Sequence, residues 1–170
     1  MVLLTAKHIQ KRFSEKQLLE DINLSIHLGD KIGLVGVNGS GKSTLLQIIA
    51  GAMEEDAGEI LRSNELRIGY LPQNPDFEPE ATVLEQAMEY VQGAVPEYVV
   101  KTLLTKLRMN MFDRKMKELS GGQRKRVAMA AVMCRDTNLL ILDEPTNHMD
   151  NDIIEWLEEQ LENYKGSVLM

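Results

Sequence analysis

The sequence predicts an α/β fold built around a parallel sheet, and two stretches carry that prediction. Residues 36–43 fit the spacing G-x-x-x-x-G-K-[ST] and lie between a strand pattern and a helix pattern. The apolar run Leu139–Leu142 ends in two carboxylates, Asp143 and Glu144. A fully apolar strand is typical of the centre of a parallel sheet, whose C-terminal edge is where ligand sites form.

Composition limits the classes of protein to consider. The chain has 170 residues, of which 44% are hydrophobic, so it has room for one domain and a sizeable core. The net charge of −7 argues against binding duplex nucleic acid over the whole surface, and no DNA partner is expected. Cys134 has no second cysteine to pair with and lies in an apolar helical pattern, which predicts a buried, unreactive thiol.

No targeting or membrane segment is visible in the sequence. The N-terminus lacks the apolar stretch and cleavage site of a secretory signal, and no window approaches the roughly 18 to 20 apolar residues of a membrane span. The sequence therefore predicts a cytoplasmic protein that does not insert into membranes.

The first third of the chain predicts strands leading into a helix. Residues 2–9 and 21–28 alternate in polarity, which predicts two antiparallel strands, and residues 31–35 predict a short buried strand. Residues 44–50 predict a helix that ends at Gly51. Phe13 is an isolated aromatic residue between the first two strands, where it either packs on the sheet or stacks on a base.

Residues 36–43 have the chemistry of a phosphate-binding loop. Glycines let backbone N–H groups close around phosphate oxygens, and the following helix start adds partial positive charge. Lys42 would reach the β- and γ-phosphates, and the Ser43 hydroxyl would hold Mg²⁺. The alternative is a glycine-rich structural turn. The residues assigned to the nucleotide here are Gly36, Asn38, Gly39, Ser40, Gly41, Lys42, Ser43 and Thr44.

The middle of the chain predicts an acidic surface loop at residues 51–58 and short strands at 59–61 and 66–71. Gln73 follows on a stiff proline-flanked loop, where it either touches a metal or a water or serves as a turn residue. Thr82 and Glu85 predict a capping box before a helix over 83–91.

A second helix is predicted over residues 98–107, with Val99, Leu103 and Leu107 on its buried face. We assign residues 74–118 to a small helical subdomain inserted in the α/β core.

Residues 119–123, Leu-Ser-Gly-Gly-Gln, precede a predicted helix over 124–133. Bare N–H groups and a serine at a helix start can bind an anion, but the same pattern fits an ordinary serine N-cap. Both interpretations stay open on this stretch alone. The basic residues 124–126 predict a solvated helix face more than a nucleic-acid contact.

The two carboxylates after residue 142 suit separate roles. Asp143 can hold Mg²⁺, and Glu144 can orient or deprotonate an attacking water. Neighbouring strand residues point in opposite directions, which separates the two side chains. The alternative is a pair of turn residues. An acidic helix over 151–164 and a buried strand over 167–170 follow.

The order of these motifs resembles the nucleotide-binding cassette of the ABC ATPase superfamily, and the resemblance covers essentially the whole chain. It implies a P-loop NTPase (RecA-like) core with an antiparallel β subdomain and a small α-helical subdomain, binding ATP and Mg²⁺. It also implies that Glu144 and Gln73 are catalytic, that Ser43, Gln73 and Asp143 contact the metal, that Phe13 stacks on adenine, and that Asp150 lies in the D-loop beside the nucleotide.

The resemblance further implies a head-to-tail pair of cassettes, in one longer chain or in a homodimer. In such a pair, residues of one cassette close over the ATP held by the phosphate loop of the other. The residues with this implied role are Ser120, Gly121, Gly122 and Gln123.

Residues 143–150 are similar to the ABC-F group, in which Asn-His commonly fills the positions of Asn147 and His148. This similarity implies a twin-cassette ATPase acting on ribosomes in translation or antibiotic resistance. Too few residues separate Gln73 from Ser120 for the long helical arm usual in ABC-F first cassettes.

The switch histidine expected after residues 167–170 is absent from this sequence, and His148 does not replace it. We therefore expect a cassette that is incomplete at its C-terminus and impaired in hydrolysis when alone. The alternatives are the ATPase subunit of an ABC transporter and a non-catalytic nucleotide-binding regulatory module.

Overall fold

The computed structural model describes residues 1–14, 16–147 and 149–170. The chain forms two compact units. The first unit contains Met1–Tyr70, Thr137–Asp143 and Lys165–Met170, and the second contains Leu71–Asp136 and Glu144–Tyr164. The predicted subdomain over residues 74–118 stays a prediction.

The chain combines strands with helices, and the α/β class is confirmed. In chain order the elements are β1 (Val2–Phe13), β2 (Lys16–His27), β3 (Lys31–Ile32), α1 (Lys42–Ala50), β4 (Ala57–Arg62), β5 (Ile68–Leu71), α2 (Val83–Val91), α3 (Glu97–Lys106), α4 (Gly121–Cys134), β6 (Leu139–Leu142), α5 (Asn151–Asn163) and β7 (Ser167–Leu169).

An antiparallel sheet has the strand order β2-β1-β4. Its first two strands were predicted, but both are longer than their alternating segments because the pairing register shifts at several irregularities. One shift lies between Ala6 and Ile9, where His8 has a φ of 54°. Such a bulge interrupts the alternation of polarity in the sequence while the ladder of hydrogen bonds continues beyond it.

The loop before β4 is held in place, which the prediction of a solvated acidic loop missed. Asp56 accepts hydrogen bonds from Lys11 Nζ at 2.7 Å and from the Arg12 backbone N–H at 2.8 Å. These bonds lower the pKa of the Asp56 carboxyl, with the Lys11 bond as the largest cause. The loop is therefore tied to β1 through one carboxylate.

A second sheet has the order β3-β7-β6-β5, and its β3–β7 and β6–β7 pairs are parallel. All four residues of β6 are buried, as the apolar run predicted. The strand predicted over 31–35 is wrong in length, since only Lys31 and Ile32 pair with β7. The Leu34 N–H still donates to the Met170 carbonyl at 2.5 Å, but Val35 is 99% exposed.

The core of the first unit is formed by aliphatic side chains from both sheets and from α1. Leu46, Ile48 and Ile49 of α1 pack in the same buried cluster as Leu4 and Ile141. A fully buried aliphatic side chain of this size contributes about 1.5–3 kcal/mol. This packing fixes the helix that follows the glycine-rich loop.

Helix α3 begins one residue earlier than predicted and buries a different face. Val100, Leu104 and Leu107 are fully buried, whereas Val99 and Leu103 are only half-buried. The sequence contains both apolar stripes at helical spacing, so periodicity cannot choose between them. Packing of α3 against α2 and α4 makes the choice.

The basic residues at the start of α4 do not form the predicted solvated face. Lys125 is only 4% exposed, the Arg124 guanidinium lies 4.2 Å from the centre of the Phe77 ring, and Arg126 donates to the Leu107 carbonyl at 3.3 Å. Helix α4 packs against both α2 and α3, so the long stems of these side chains cover apolar surface.

Cys134, at the end of α4, is half-buried, and this burial raises the pKa of its thiol to about 11.

Helix α5 buries Ile153, Leu157 and Leu161 along one face. Over residues 1–14, 16–147 and 149–170, no helix combines the length and apolar character needed to cross a bilayer.

Candidate functional site

The first unit presents a glycine-rich loop at the N-terminus of α1. Helix α1 begins at Lys42 after Gly41, whose φ is 98°, and no side chain caps this end. A Cβ atom at Gly41 would lie 2.9 Å from Leu19 Cδ2 and 3.1 Å from Leu18 Cγ, and this φ is strained for any residue with a side chain, so the position favours glycine. The first turn of α1 also lacks an acidic residue. Its N–H groups and dipole are therefore well suited to an anion.

Lys42 lies over this loop. Its Nζ donates hydrogen bonds to the carbonyl oxygens of Gly36 at 2.7 Å and Val37 at 3.1 Å. The ammonium group is thereby held beside the uncapped helix end, where both attract negative charge. The other residues predicted to bind the nucleotide here, Asn38, Gly39, Ser40 and Thr44, lie in the loop or in the first turn of α1.

Ser43 and Asp143 come together although 100 positions separate them in the sequence. Ser43 Oγ donates to Asp143 Oδ1 at 3.1 Å, and Asp143 is only 2% exposed. A hydroxyl and a carboxylate are hard oxygen ligands of the kind Mg²⁺ prefers, and Mg²⁺ usually keeps several waters and substrate oxygens beside one or two carboxylates. The donor set therefore fits Mg²⁺ bound together with a phosphate.

Tyr70 lies close enough to respond to the same carboxylate. The pKa of the Tyr70 hydroxyl is raised to about 12, first by desolvation and then by the charge of Asp143. No group of three or more His, Cys, Asp or Glu side chains in the described ranges could hold a metal by itself. A metal here would need oxygens from a ligand.

The second unit contains Glu144, which has a left-handed backbone with a φ of 46°. Its Oε2 accepts hydrogen bonds from Gln73 Nε2 at 2.8 Å and from Asn147 Nδ2 at 2.6 Å. Its backbone carbonyl accepts from Lys125 Nζ at 2.5 Å. Gln73 and Glu144, both predicted to be catalytic, are thus in direct contact.

Sequence reasoning missed the contributions of Asn147 and Lys125 to this cluster. Asn147 follows Glu144 by three residues in a turn, a spacing that allows contact but does not require it. Lys125 is flanked in sequence by two arginines, but it shares a helix face with Ala128 and Met129, which are buried. A lysine on a buried face needs an acceptor, and this helical spacing was the available signal.

The predicted strand alternation of Asp143 and Glu144 is wrong in its geometry, because β6 ends at Leu142 and Glu144 is left-handed. Their partners nevertheless differ. Asp143 accepts from Ser43, whereas Glu144 accepts from Gln73 and Asn147.

Residues 120–123 form the start of α4. Ser120 is the N-cap: its Oγ accepts from the Gln123 N–H at 3.2 Å, and Gln123 Oε1 accepts from the Ser120 N–H at 2.9 Å. Gly121 and Gly122 therefore lie in the first turn of the helix rather than in a loop. This geometry is that of a serine N-cap, and binding of an anion by these residues stays a prediction.

A cavity of about 230 Å³ opens beside the start of α4. The residues that line it include Gln73, Asn74, Gly121, Gly122, Lys125 and Asn147.

Two other residues predicted to bind the nucleotide lie in more exposed positions. Phe13 is 47% exposed at the end of β1, and Asp150 pairs with Arg108 at 3.7 Å. His148 lies outside the described residues.

Comparison with known proteins gives a consistent result. A protein-family model described as ABC transporter matches residues 19–147. The uncharacterized ABC transporter ATP-binding protein YfmR of Bacillus subtilis is 36% identical over 100% of this chain and 33% of its own length. The ATP-binding protein Uup of Escherichia coli is 37% identical over 91% of this chain and 25% of its own length.

The energy-dependent translational throttle protein EttA of Escherichia coli is 34% identical over 91% of this chain and 35% of its own length. The chain therefore spans about a third or less of the curated relatives it matches. Among solved structures, an ATP-binding subunit of an ABC transporter gives a TM-score of 0.80 at 26% identity, covering 98% of this chain and 78% of that one. The structure of a putative metal-chelate type ABC transporter gives a TM-score of 0.76 at 25% identity, and the match covers 99% of this chain and 71% of the transporter chain.

Proposed function

Because this chain belongs to the ABC transporter family of ATP-binding cassettes, as its family match over residues 19–147 shows, we propose that it binds MgATP and hydrolyses ATP together with a second cassette. The predicted superfamily and the similarity to ABC-F proteins are confirmed by the relatives EttA and Uup and by the probable ATP-binding protein YbiT of Escherichia coli, which is 36% identical over 98% of this chain and 32% of its own length. The P-loop NTPase core is likewise confirmed by the two similar solved structures.

The observation that carries the proposal is the hydrogen bond between Ser43 Oγ and Asp143 Oδ1 at 3.1 Å. It joins the last residue of the glycine-rich loop to a buried carboxylate at the end of an apolar strand. Beside it, α1 has an uncapped N-terminus with Lys42 Nζ held over the loop. A triphosphate with its metal matches these donors in both charge and chemistry.

In the proposed reaction, the water oxygen attacks the γ-phosphorus in line, the bond from that phosphorus to the β–γ bridging oxygen breaks, and ADP and inorganic phosphate are released. Lys42 and the N–H groups of the loop bind the phosphates and stabilise charge that develops on their oxygens. Mg²⁺, held by Ser43 and Asp143, would add further charge neutralisation. Glu144 orients the water and accepts its proton, and Gln73 contacts Glu144 and senses the metal and nucleotide.

The remaining predicted site residues take family-implied roles in this proposal. Phe13 stacks on adenine, and Asp150 lies beside the nucleotide. Ser120, Gly121, Gly122 and Gln123 bind the ATP held by the partner cassette. Closing and opening of the pair would perform the work, in the cytoplasm and without a DNA partner.

We further propose that the work is done on ribosomes, in translation or antibiotic resistance. The support is the 34–37% identity to EttA, YbiT and Uup, one of which is named a translational throttle protein. A transporter ATPase subunit is the second candidate, favoured by the two solved structures of ABC transporters. Their lower identity, 25–26%, makes it the weaker one.

Nucleotide binding is tested by isothermal calorimetry with ATP and Mg²⁺. Lys42→Ala removes the ammonium group over the loop and should weaken ATP binding at least tenfold, since charge-assisted hydrogen bonds to phosphate contribute about 1.5–3 kcal/mol each. Lys106→Ala is the matched control, because Lys106 is exposed at the end of α3. Equal affinity in the two variants would contradict the assignment of the loop.

The partner is tested by sedimentation of the intact Glu144→Gln protein with ribosomes and, separately, with membranes. ATP should bring the variant down with ribosomes, because it would bind ATP without turning it over. ATP-independent recovery with membranes would instead support the transporter subunit.

A further inference from the structure

Glu144 has an unusual backbone that a buried lysine holds in place. A left-handed conformation is unfavourable for a residue with a side chain, and it persists where the surroundings fix it. Glu144 has a φ of 46°, and Lys125 Nζ donates to its carbonyl oxygen at 2.5 Å. Lys125 is only 4% exposed, so its ammonium group depends on acceptors inside the protein.

The carboxylate of Glu144 is held separately from its backbone. Asn147 Nδ2 donates to Oε2 at 2.6 Å, and the Asn147 backbone N–H donates to the Glu144 carbonyl at 3.3 Å. Gln73 Nε2 donates to the same Oε2 at 2.8 Å. Since both amides bind one carboxylate oxygen, the orientation of the other, Oε1, is fixed by the same contacts.

We propose that Lys125 and Asn147 are positioning residues for Glu144. Lys125 holds the left-handed backbone and Asn147 holds the carboxylate, so that Oε1 faces the attacking water with a defined orientation. Neither residue touches the substrate in this proposal. The inference rests on the proposed function, because it takes Glu144 as the group that orients and deprotonates water.

A purely structural role makes a different prediction from a positioning role. If Lys125 only anchors α4, its loss should lower the free energy of unfolding, and the apparent kcat should fall only in proportion to the folded fraction, which the stoichiometry of ATP binding in calorimetry measures. A residue that orients a general base acts on kcat, since misorientation weakens an interaction realised in the transition state. ATP binding does not need the base and should be preserved.

The test measures kcat and KM for ATP in the intact protein with Lys125→Met and Asn147→Asp. Methionine fills the space of the lysine stem without its donor, and aspartate keeps the shape of asparagine but places a carboxylate against Glu144. We expect kcat to fall about tenfold or more in each, within the roughly 10²–10⁴-fold that a positioned base contributes. KM for ATP should stay within about twofold of the wild type.

Two matched controls and a conservative variant complete the design. Lys106→Met and Asn110→Asp make the same chemical changes at exposed positions and should leave kcat unchanged. Asn147→Gln keeps the amide donor on a longer side chain and should recover part of the activity that Asn147→Asp loses. A structural role would instead tie each loss or recovery of kcat to an equal change in the stoichiometry of ATP binding.

The outcomes separate this inference from the proposed function. If Glu144→Gln loses turnover while Lys125→Met and Asn147→Asp keep wild-type kcat, the positioning roles are wrong and the function stands. If Glu144→Gln keeps turnover, the role of Glu144 in the proposed function is wrong. Should Lys125→Met fail to fold, Asn147→Asp decides, because Asn147 is exposed: a raised KM with unchanged kcat would overturn its role.

Discussion

At the residue scale, Gly41 shows how one backbone conformation shapes the proposed nucleotide site. Its φ of 98° belongs to glycine, and Leu18 and Leu19 occupy the space a side chain would need. The absence of a Cβ lets the loop turn into α1 here without backbone strain. The G-K-[ST] motif in the sequence thus has a steric reason as well as a chemical one.

We expect Gly41→Ala to destabilise the first unit and weaken ATP binding. Left-handed backbone costs an alanine about 1–2 kcal/mol, and the contact at 2.9 Å with Leu19 Cδ2 adds to this cost. Chemical denaturation with calorimetry measures both effects. Gly93→Ala is the control, since Gly93 has a φ of 70° but nothing within 4 Å of a Cβ. An equal loss of stability in both variants would show that the contact with Leu19 is relieved at no cost.

Also at this scale, the partners of Glu144 illustrate what local sequence leaves undecided. Its φ of 46° and its contacts with Gln73 and Lys125 depend on chain segments far apart in sequence. A strand pattern followed by two acids predicts the carboxylates but says nothing about the turn after Leu142. The prediction of alternating side chains therefore failed, although the difference in partners is real.

At the element scale, α2 and α4 begin with the same device. Thr82 with Glu85, and Ser120 with Gln123, each form a reciprocal capping box. The sequence predicted the capping box of α2. For residues 119–123 it left two interpretations undecided, a serine N-cap and an anion-binding site. Helix α1 differs from both, because its N-terminus has no side-chain cap. Among the described α-helices, α2 and α4 thus begin with capping boxes, whereas α1, α3 and α5 have no side-chain cap.

This comparison gives a prediction that separates the two interpretations of residues 119–123. Thr82→Ala and Ser120→Ala each remove a cap and should each cost about 1 kcal/mol of stability, measured by chemical denaturation. Only Ser120→Ala should also lower the ATPase rate of the paired cassettes, because only Ser120 is proposed to bind the partner's ATP. Equal ATPase rates in the two variants would leave Ser120 a cap and nothing more.

Also at the element scale, hydrogen bonds and ion pairs join the segment before α2 to residues 115–117. Glu80 accepts from Lys115 Nζ at 2.6 Å and from Lys117 Nζ at 2.5 Å, and the Met116 N–H donates to the Ala81 carbonyl. The hydrogen bonds from the two lysines, Lys115 first, lower the pKa of Glu80 to about 2. The pairing is thus strongest for the ionised carboxylate.

The ion pairs of Glu80 with Lys115 and Lys117 should make the stability of the fold depend on pH. The folded-state pKa of Glu80 lies below its ordinary value of 4.5, so its stabilising contribution is present above about pH 4.5 and is lost as the pH falls toward 2. Glu80→Gln should therefore lower the thermal midpoint at pH 7, and the gap from the wild type should close over that range. Glu97→Gln, which removes a pair with Lys101 inside α3, is the control. A gap that persists unchanged at pH 2 would rule out the ion pairs as its source.

At the scale of the whole molecule, ligand binding should appear as added stability. A ligand that binds only the folded state stabilises it by about 2.7 kcal/mol at a concentration one hundred times its Kd. MgATP should raise the unfolding midpoint of the wild type and of Glu144→Gln alike, and it should raise that of Lys42→Ala by clearly less. Differential scanning fluorimetry measures all three. Stabilisation of Lys42→Ala equal to the wild type would contradict the role given to the loop.

The sequence by itself determined the class of fold and the family, and it supplied the residues now proposed to carry the chemistry, because these depend on short spacings and on the period of apolar residues. Residues 36–43, the run Leu139–Leu142, and the capping boxes of α2 and α4 are all local patterns. A local pattern is legible wherever the interacting groups are within a few residues of each other.

Only the tertiary structure decided which of two apolar stripes α3 buries, that Lys125 is enclosed rather than solvated, and that β3 pairs through just two residues. It also brought Ser43 to Asp143 and Gln73 to Glu144. Each of these outcomes depends on which distant segment packs against the residue, and the energy of that packing is not present in the residue's own neighbourhood in the sequence.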